Sequence, residues 1–393
     1  MAADPALRAP RGFRLPPAGR ALGARELRAV WSAGDASERL RAALRERLGA
    51  AEVRLFASGR EALRVALSCA ARQSGRREAI LPAYTCFSVA AAAVAAGLRV
   101  RLVDVTLSGA IDSASLAKLS HERAAALVVC NLFGLAEPLP NVAPGVRIID
   151  DAAQALGARG ADGLAGGRGD AGIVSFGRGK PLCALGGGAL ALPRGADAEP
   201  EPVRPRSRRL RSLARALAYD AALSPRIFGW LAAIPALGIG ETPFDPGFAR
   251  GGLPADAAAL ALAVLARFDA DLRARAEEAQ RLAAVIGGET RLVPLLPAAG
   301  AAGAHPRLAC LAPSAAARDA AVAALASAGA GVSTLYPTPL GEIAGLAAHL
   351  EGPASLPGAR ELASRLLTLP VHGGLRGARL DAALRALSRA GCT

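Results

Sequence analysis

Through the first half of the chain, short apolar runs bounded by turn residues alternate with stretches that read as helices. Residues 53–56, 79–82, 100–105, 127–130, 146–149 and 171–176 are the apolar runs, several of them rich in valine and isoleucine. Such runs are the signature of strands buried on both faces of a parallel sheet. Residues 89–96 and, largely, 113–126 read as helices between them. Strand and helix alternating in this way predict a doubly wound α/β domain. From residue 194 to 211 the chain turns rich in proline and arginine, which predicts an exposed loop or insertion. A long helical region at 253–286 follows, with shorter strand and helix signals to the end. The expected organisation is an arm at 1–23, a large α/β domain at 24–250 with an insertion at about 195–245, and a small C-terminal α+β domain at 251–393.

Composition narrows the function classes. Apolar residues make up 52% of 393 positions but aromatics only 4%, so alanine and leucine must fill most of the interior. The formal charge of +14 would suit a nucleic-acid binder, yet the arginines are spread along the chain with no aromatic-interleaved stripe. Small anions are the better expected partners, and nucleic acid is not expected. Cys69, Cys86, Cys130, Cys183, Cys310 and Cys392 have no C-x-x-C or metal-ligand spacing, and read as reduced thiols of a cytoplasmic protein without a metal site. Residues 1–20 contain no apolar core of a signal peptide, and no run approaches the ~18 apolar residues of a membrane span. Arg204, Arg206, Arg208, Arg209, Arg211 and Arg215, followed by Ile227, Phe228, Trp230, Leu231 and Ile234, suit either weak peripheral contact with an anionic membrane or a dimer interface.

Two of the 47 basic residues are lysines, Lys118 and Lys180, which leaves 45 arginines. An ε-amine can lose its proton and form a Schiff base with a carbonyl; a guanidinium cannot. Lys118 falls in a helical setting that reads as solvated surface, whereas Lys180 closes Ser175-Phe176-Gly177-Arg178-Gly179-Lys180 directly after a strand. Three further segments are candidates for the same site. Ser58-Gly59-Arg60-Glu61 starts a helix after a strand, where free N–H groups and the helix dipole favour phosphate. Asp150 and Asp151 end a buried strand, where open α/β sheets bind ligands, although an aspartate there also commonly caps a following helix. Gly186-Gly187-Gly188 permits close backbone approach or a plain turn.

In this order and spacing the chain resembles the pyridoxal-phosphate-dependent nucleotide-sugar aminotransferases of the DegT/StrS type, of fold type I. The marks are Ser58-Gly59, Pro82-Ala83-Tyr84-Thr85, Asp151-Ala152-Ala153-Gln154 with Gly157, Gly169-Asp170, Ser175-Phe176, Lys180, Tyr336-Pro337-Thr338-Pro339-Leu340 and Leu369-Pro370-Val371-His372. The resemblance implies that Lys180 bonds the cofactor, Asp151 pairs with its pyridine nitrogen, and Gln154 lies near its phenolic oxygen. Ser58, Gly59 and Ser175 would receive its phosphate, and Arg60 and Cys86 would also contact the cofactor, Cys86 standing where the family commonly stacks an aromatic. A homodimer with sites at the subunit interface is also implied.

Further departures are Gly186 in place of an acid, Gly341 in place of a histidine, and no clear Asn-aromatic-Arg stretch, Arg250 being the nearest match. The expected activity is transfer of an amino group, from glutamate, to a keto group of a nucleotide-activated sugar in polysaccharide or modified-sugar biosynthesis. Lys180 argues against sugar dehydration, for which the family replaces this lysine with histidine. The alternatives are a non-catalytic regulator on the same fold, favoured by Cys86 and Gly186, and an aminotransferase of a non-sugar ketone.

Overall fold

The computed structural model describes residues 12–32, 34–196, 205–234, 244–352 and 355–392. Its large sheet contains β1 (Glu52–Phe56), β2 (Glu78–Pro82), β3 (Arg99–Val103), β4 (Ala124–Cys130) and β5 (Arg147–Asp151). A two-residue hairpin, β6 (Arg159–Gly160) and β7 (Gly163–Leu164), precedes β8 (Ala171–Ser175) and β9 (Gly188–Leu192). The spatial order is β1-β9-β8-β5-β4-β2-β3. Strand β9 runs antiparallel to both its neighbours, and the remaining pairs are parallel. Every residue of β2, β4 and β9 is buried, which is why these segments lack polar alternation.

Around this sheet lie α1 (Ala24–Ala29), α2 (Ala36–Leu48), α3 (Gly59–Ser74), α4 (Phe87–Ala95) and the one-turn α5 (Ser113–Ala117). Helix α3 packs across β1, β4, β8 and β9 and buries Ala62, Leu63, Val65, Ala66, Leu67 and Ala70. The helix expected over 113–126 is cut short. Lys118, exposed, caps α5, and Ala124, Ala125 and Ala126 are instead fully buried in β4. Alanine favours a helix by a fraction of a kcal/mol per residue, roughly 0–0.7. Ladder pairing and complete burial outweigh that preference.

Helices α6 (Arg209–Ala222) and α7 (Pro225–Ala232) form part of the expected insertion, whose residues 197–204 and 235–243, with Arg204 among them, lie outside the described residues. The helical region at 253–286 is two helices, α8 (Ala255–Leu265) and α9 (Phe268–Glu289), broken at Ala266-Arg267. Helix α8 packs on α1 and α2, in one core with Leu40, Leu44 and Val174. Helix α9 spans two cores: Phe268 and Leu272 belong to that of the large sheet, while Leu282 and Ile286 belong to a second. This second core is built on an antiparallel sheet of β10 (Val293–Pro294), β11 (Leu308–Leu311) and β12 (Leu366–Leu369), with α10 (Ala315–Ser327) and α12 (Ala378–Arg389). Helix α11 (Pro357–Arg365) returns to the first sheet, where buried Asp104 accepts the Gly358 and Ala359 amides at 2.8 Å. The arm adds a further tie, with Leu15 buried in the second core and its amide 2.9 Å from the Gly329 carbonyl.

Candidate active site

Ser58, between β1 and α3, adopts an extended backbone (φ −158°, ψ 160°), and its Oγ accepts the Glu61 amide at 3.1 Å. That is an N-cap, and it leaves the other first-turn amides of a 16-residue helix without intrahelical partners. Gly59 faces Ser175, the last residue of β8, so closely that a Cβ on Gly59 would lie 2.9 Å from Ser175 Cβ and 3.2 Å from its Oγ. On the other side a Cβ on Gly188 would collide with the Gly59 nitrogen. Ser58, Gly59 and Ser175 are thus brought together as a small polar cradle at the positive end of a helix, which suits an anion. Arg60 leaves the same turn in another direction. Its guanidinium stacks 5.0 Å from the centre of the Phe248 ring and donates to the Asp245 carbonyl at 3.4 Å.

Beyond the cradle, Gly187 has φ +98° and a Cβ there would strike Leu253 and Phe176, so the glycine is sterically required. Gly186 has open space around it. The nearest atom to a Cβ there is Arg215 Nη2 at 4.0 Å, and that guanidinium donates to the Leu185 carbonyl at 2.9 Å.

Asp150 and Asp151 are adjacent and both buried, but their surroundings differ sharply. Asp150 is fully enclosed. Its oxygens accept Arg168 Nε at 3.0 Å and Nη2 at 2.8 Å, Asn131 Nδ2 at 2.7 Å and the Gly166 amide at 2.7 Å. Asp151 Oδ1 accepts the Ala153 amide at 2.9 Å. Burial pushes its carboxyl up to about 6, against the pull of the Ala153 amide and the Lys180 charge, with Asp150 pushing the same way as burial. No helix follows β5, so neither aspartate serves as a helix cap.

Lys180 is half-buried on the turn whose amide meets the Gly177 carbonyl at 3.3 Å. Its charge reaches both Asp151 and Cys130, the latter at the end of β4. The Cys130 thiol is pushed up chiefly by burial, with Asp151 and Cys86 adding to the rise. Gln154 Nε2 donates to the Tyr336 hydroxyl at 2.9 Å, and Tyr336 is held there by aromatic contacts with Tyr84 (5.9 Å between centroids) and Phe87 (6.3 Å). Cys86 stands at the start of α4, accepts the Ser88 hydroxyl at 2.9 Å, and lies close enough to Tyr336 to push its hydroxyl's pKa further up. The Leu340 amide at 2.8 Å from the Ala83 carbonyl ties the 336–340 segment to that wall.

Sequence reasoning gave Tyr336 no role beyond its motif and passed over Arg168, Cys130 and Arg307. The charge of Arg307 reaches Tyr336, and its Nη2 would lie 3.9 Å from a Cβ on Gly179. A residue that converges on a site from a distant segment leaves no local signal. All six cysteines are free, and among the described residues no cluster of His, Cys, Asp or Glu could hold a metal ion. No described helix is long and apolar enough to cross a membrane.

A mainly parallel seven-stranded sheet, an acid at one strand end, a lysine after the next strand and a helix-terminal anion cradle define a fold type I transferase. The chain belongs to the DegT/DnrJ/EryC1/StrS aminotransferase family, which matches residues 24–214 and 249–388. Over 151 residues it is 34% identical to a UDP-N-acetyl-3-dehydro-alpha-D-glucosamine 3-aminotransferase of Acidithiobacillus ferrooxidans, covering 37% of this chain and 40% of that relative. Its fold is similar to that of the aminotransferase TlmJ from Streptoalloteichus hindustanus, with a TM-score of 0.72 and 23% identity over 96% of this chain and 98% of that one. PseC of Helicobacter pylori, an aminotransferase of pseudoaminic acid biosynthesis, gives 0.72 and 18% over 96% and 99%.

Proposed function

We propose that this chain is a pyridoxal-phosphate-dependent aminotransferase that aminates the keto group of a nucleotide-activated sugar, with glutamate as amino donor. The observation that carries the reading is the combination of Lys180 with a buried Asp151 that its charge reaches and that no arginine among the described residues pairs with, in a fold that also brings Ser58, Gly59 and Ser175 together. These residues fit the cofactor: the cradle suits its phosphate, the Asp151 carboxylate suits a protonated pyridine nitrogen, and the Lys180 amine suits its aldehyde carbon. When bound, the cofactor supplies an electron sink for the carbon that loses its proton.

The chain's own residues do the rest. Lys180 Nζ would hold the cofactor and, as a free amine, could take the proton from the carbon that loses it and return it to the carbon that gains it. Asp151 would hold a proton on the cofactor's pyridine nitrogen. Gln154 and Tyr336 form a linked pair against which the cofactor's phenolic oxygen can rest. The partly matching 3-aminotransferase supports a nucleotide-sugar acceptor.

The reading extends to a cytoplasmic homodimer in polysaccharide or modified-sugar biosynthesis. Four large apolar side chains, Leu210, Leu217, Ile227 and Trp230, are exposed on α6 and α7, where a second copy would cover them. Phe228, expected at that face, is buried within the chain itself.

The test is to load purified protein with pyridoxal phosphate and add glutamate. The visible absorbance of the bound cofactor should fall, and should return with 2-oxoglutarate. A loaded protein whose spectrum ignores glutamate and other amino acids would favour the non-catalytic reading.

A further inference from the structure

Asn131 directly follows β4, whose last residue, Cys130, pairs with Asp151 at the end of the parallel strand β5. It is buried, and every hydrogen-bonding position of its side chain is filled. Nδ2 donates to Asp150 Oδ1 at 2.7 Å and to the Asp151 carbonyl at 2.9 Å. Oδ1 accepts Arg168 Nη2 at 2.8 Å and the Glu137 amide at 3.0 Å. A side-chain amide offers two donor hydrogens and two acceptor sites, so this set is complete. It also has one orientation only, because turning the amide over would set oxygen against two acceptors and nitrogen against two donors.

The partners of Asn131 are themselves held. The Arg168 side chain is buried, spends Nε and Nη2 on Asp150, and donates from Nη1 to the Glu137 carbonyl at 2.9 Å. Asp150 takes the Gly166 amide as well. Asp151, by contrast, is lightly held at its side chain, whose one hydrogen bond among the described residues comes from the Ala153 amide at 2.9 Å. The chain turns immediately after it, with the Ala155 amide 3.0 Å from the Ala152 carbonyl. The direction of the Asp151 carboxylate therefore depends on how the Asp151–Ala152 peptide is set. Asn131 grips the carbonyl of that peptide twice, through Nδ2 and through its own backbone amide at 3.0 Å.

We propose that Asn131 is a positioning residue: clamped by Arg168 and Asp150, it fixes the Asp151 peptide and so aims the Asp151 carboxylate at the pyridine nitrogen of the cofactor. The inference rests on the cofactor reading above and adds to it a residue that touches neither cofactor nor reactant. A carboxylate set slightly askew holds the pyridine proton less well, and small displacements of this kind are costly to rate. A purely structural asparagine would affect stability alone.

The test is a double-mutant cycle between Asn131→Ala and Asp151→Asn in protein loaded with pyridoxal phosphate. Its first readout is the pH at which the visible absorbance of the bound cofactor changes. A proton on the pyridine nitrogen draws electrons from the nitrogen that joins Lys180 to the cofactor and favours its deprotonation, so loss of that proton moves the change to higher pH. Asn131→Ala should raise it by about half a unit or more, in the same direction as Asp151→Asn. Its kcat should fall about tenfold, with KM for both reactants little altered. Asn131→Ala also strips bonds from Asp150, Arg168 and Glu137, so Asn131→Ser, whose hydroxyl can still meet one partner, is measured beside it and should show the same changes at smaller size.

In the Asp151→Asn background, Asn131→Ala should add nothing to the absorbance shift or to the loss of rate, while its lowering of the melting temperature persists. Losses that multiply in full across the two backgrounds would overturn the positioning role, as would an unshifted absorbance change and full kcat in either folded, loaded Asn131 variant. A loaded protein inert toward amino donors, in which the shift still appears and still depends on Asp151, would keep the positioning role and reject the aminotransferase reading instead.

Discussion

At the scale of single residues, the adjacent aspartates and the two lysines separate by surroundings. Lys180→Arg keeps charge and approximate length but has no neutral amine to offer, so turnover should fall below detection, whereas Lys118→Arg, on an exposed cap, should leave it unchanged. Steady-state rates check both. Asp151 carries a stability cost in the cofactor-free protein, since its folded pKa of about 6 lies above the ordinary carboxylate value of 3.8. The folded state binds more protons between those values, so this group's cost is absent below pH 3.8 and complete above pH 6. Asp151→Asn should therefore stabilise the cofactor-free protein at pH 7 by up to about 3 kcal/mol, with the difference vanishing near pH 4. It should also slow proton abstraction in the loaded enzyme. Thermal melts of cofactor-free wild type and variant at the two pH values decide the matter. Asp150→Asn should behave in the opposite way. The resemblance gives Asp150 no role in the site, but the structure shows a fully buried carboxylate holding Arg168 through two bonds. Removing one charge of a buried pair costs about 3–5 kcal/mol. The variant should melt well below wild type at pH 7, and an unchanged melting temperature would refute the structural role.

At the scale of elements, legibility followed how local the cause was. Six of the seven strands of the large sheet are visible as apolar runs, β9 being the one missed, and β1, β2, β5 and β8 lie within two residues of where those runs place them. The 113–126 segment misleads because an alanine-rich run carries helix propensity while its strand identity comes from neighbours far away in sequence. The cradle is legible in part: Ser58-Gly59 announces a helix start, and the family resemblance adds Ser175, but the close approach of Gly59 to Ser175 is visible only in the fold. Arg60 shows the limit of reading by proximity, since its neighbour Gly59 faces Ser175 while its own guanidinium engages Phe248. Arg168 and Tyr336 are the converse, decisive side chains whose partners sit 18 and 182 residues away. The cradle yields a prediction of its own. In Gly59→Ala the new methyl would lie 2.9 Å from Ser175 Cβ, so the strand end and the helix start must part. Alanine favours a helix over glycine by about 0.5–1 kcal/mol, which offsets part of the strain. Cofactor affinity should therefore fall tenfold or more while the melting temperature of the cofactor-free protein changes little. An absorbance titration and a melt read the two effects separately.

At the scale of the whole molecule, the most informative surface is the one the single chain leaves uncovered. Leu210 and Leu217 are one heptad apart on α6, Ile227 and Trp230 are three apart on α7, and each pair shares a helix face. They are four of the eight large apolar side chains exposed among the described residues, at 73%, 51%, 43% and 59%. Scattered exposed apolars are ordinary, but half of those described lie within 21 residues, a concentration that suits a partner surface. A second copy is the favoured partner, because the same helices adjoin the Gly186–Gly187 wall through Arg215. Contact there would complete the site from outside. Sedimentation should show a dimer at micromolar concentration, and Leu217→Glu combined with Trp230→Glu should give folded monomers with little activity. Arg206, Arg208, Arg209, Arg211 and Arg215 are exposed beside this patch, so its rival occupant is an anionic bilayer. The two are separable by salt: attraction to a charged surface is screened beyond ~8 Å at physiological ionic strength, whereas burial of apolar area persists. A wild-type monomer that pellets with anionic liposomes at low salt and is released at high salt would defeat the dimer reading and assign the patch to the membrane.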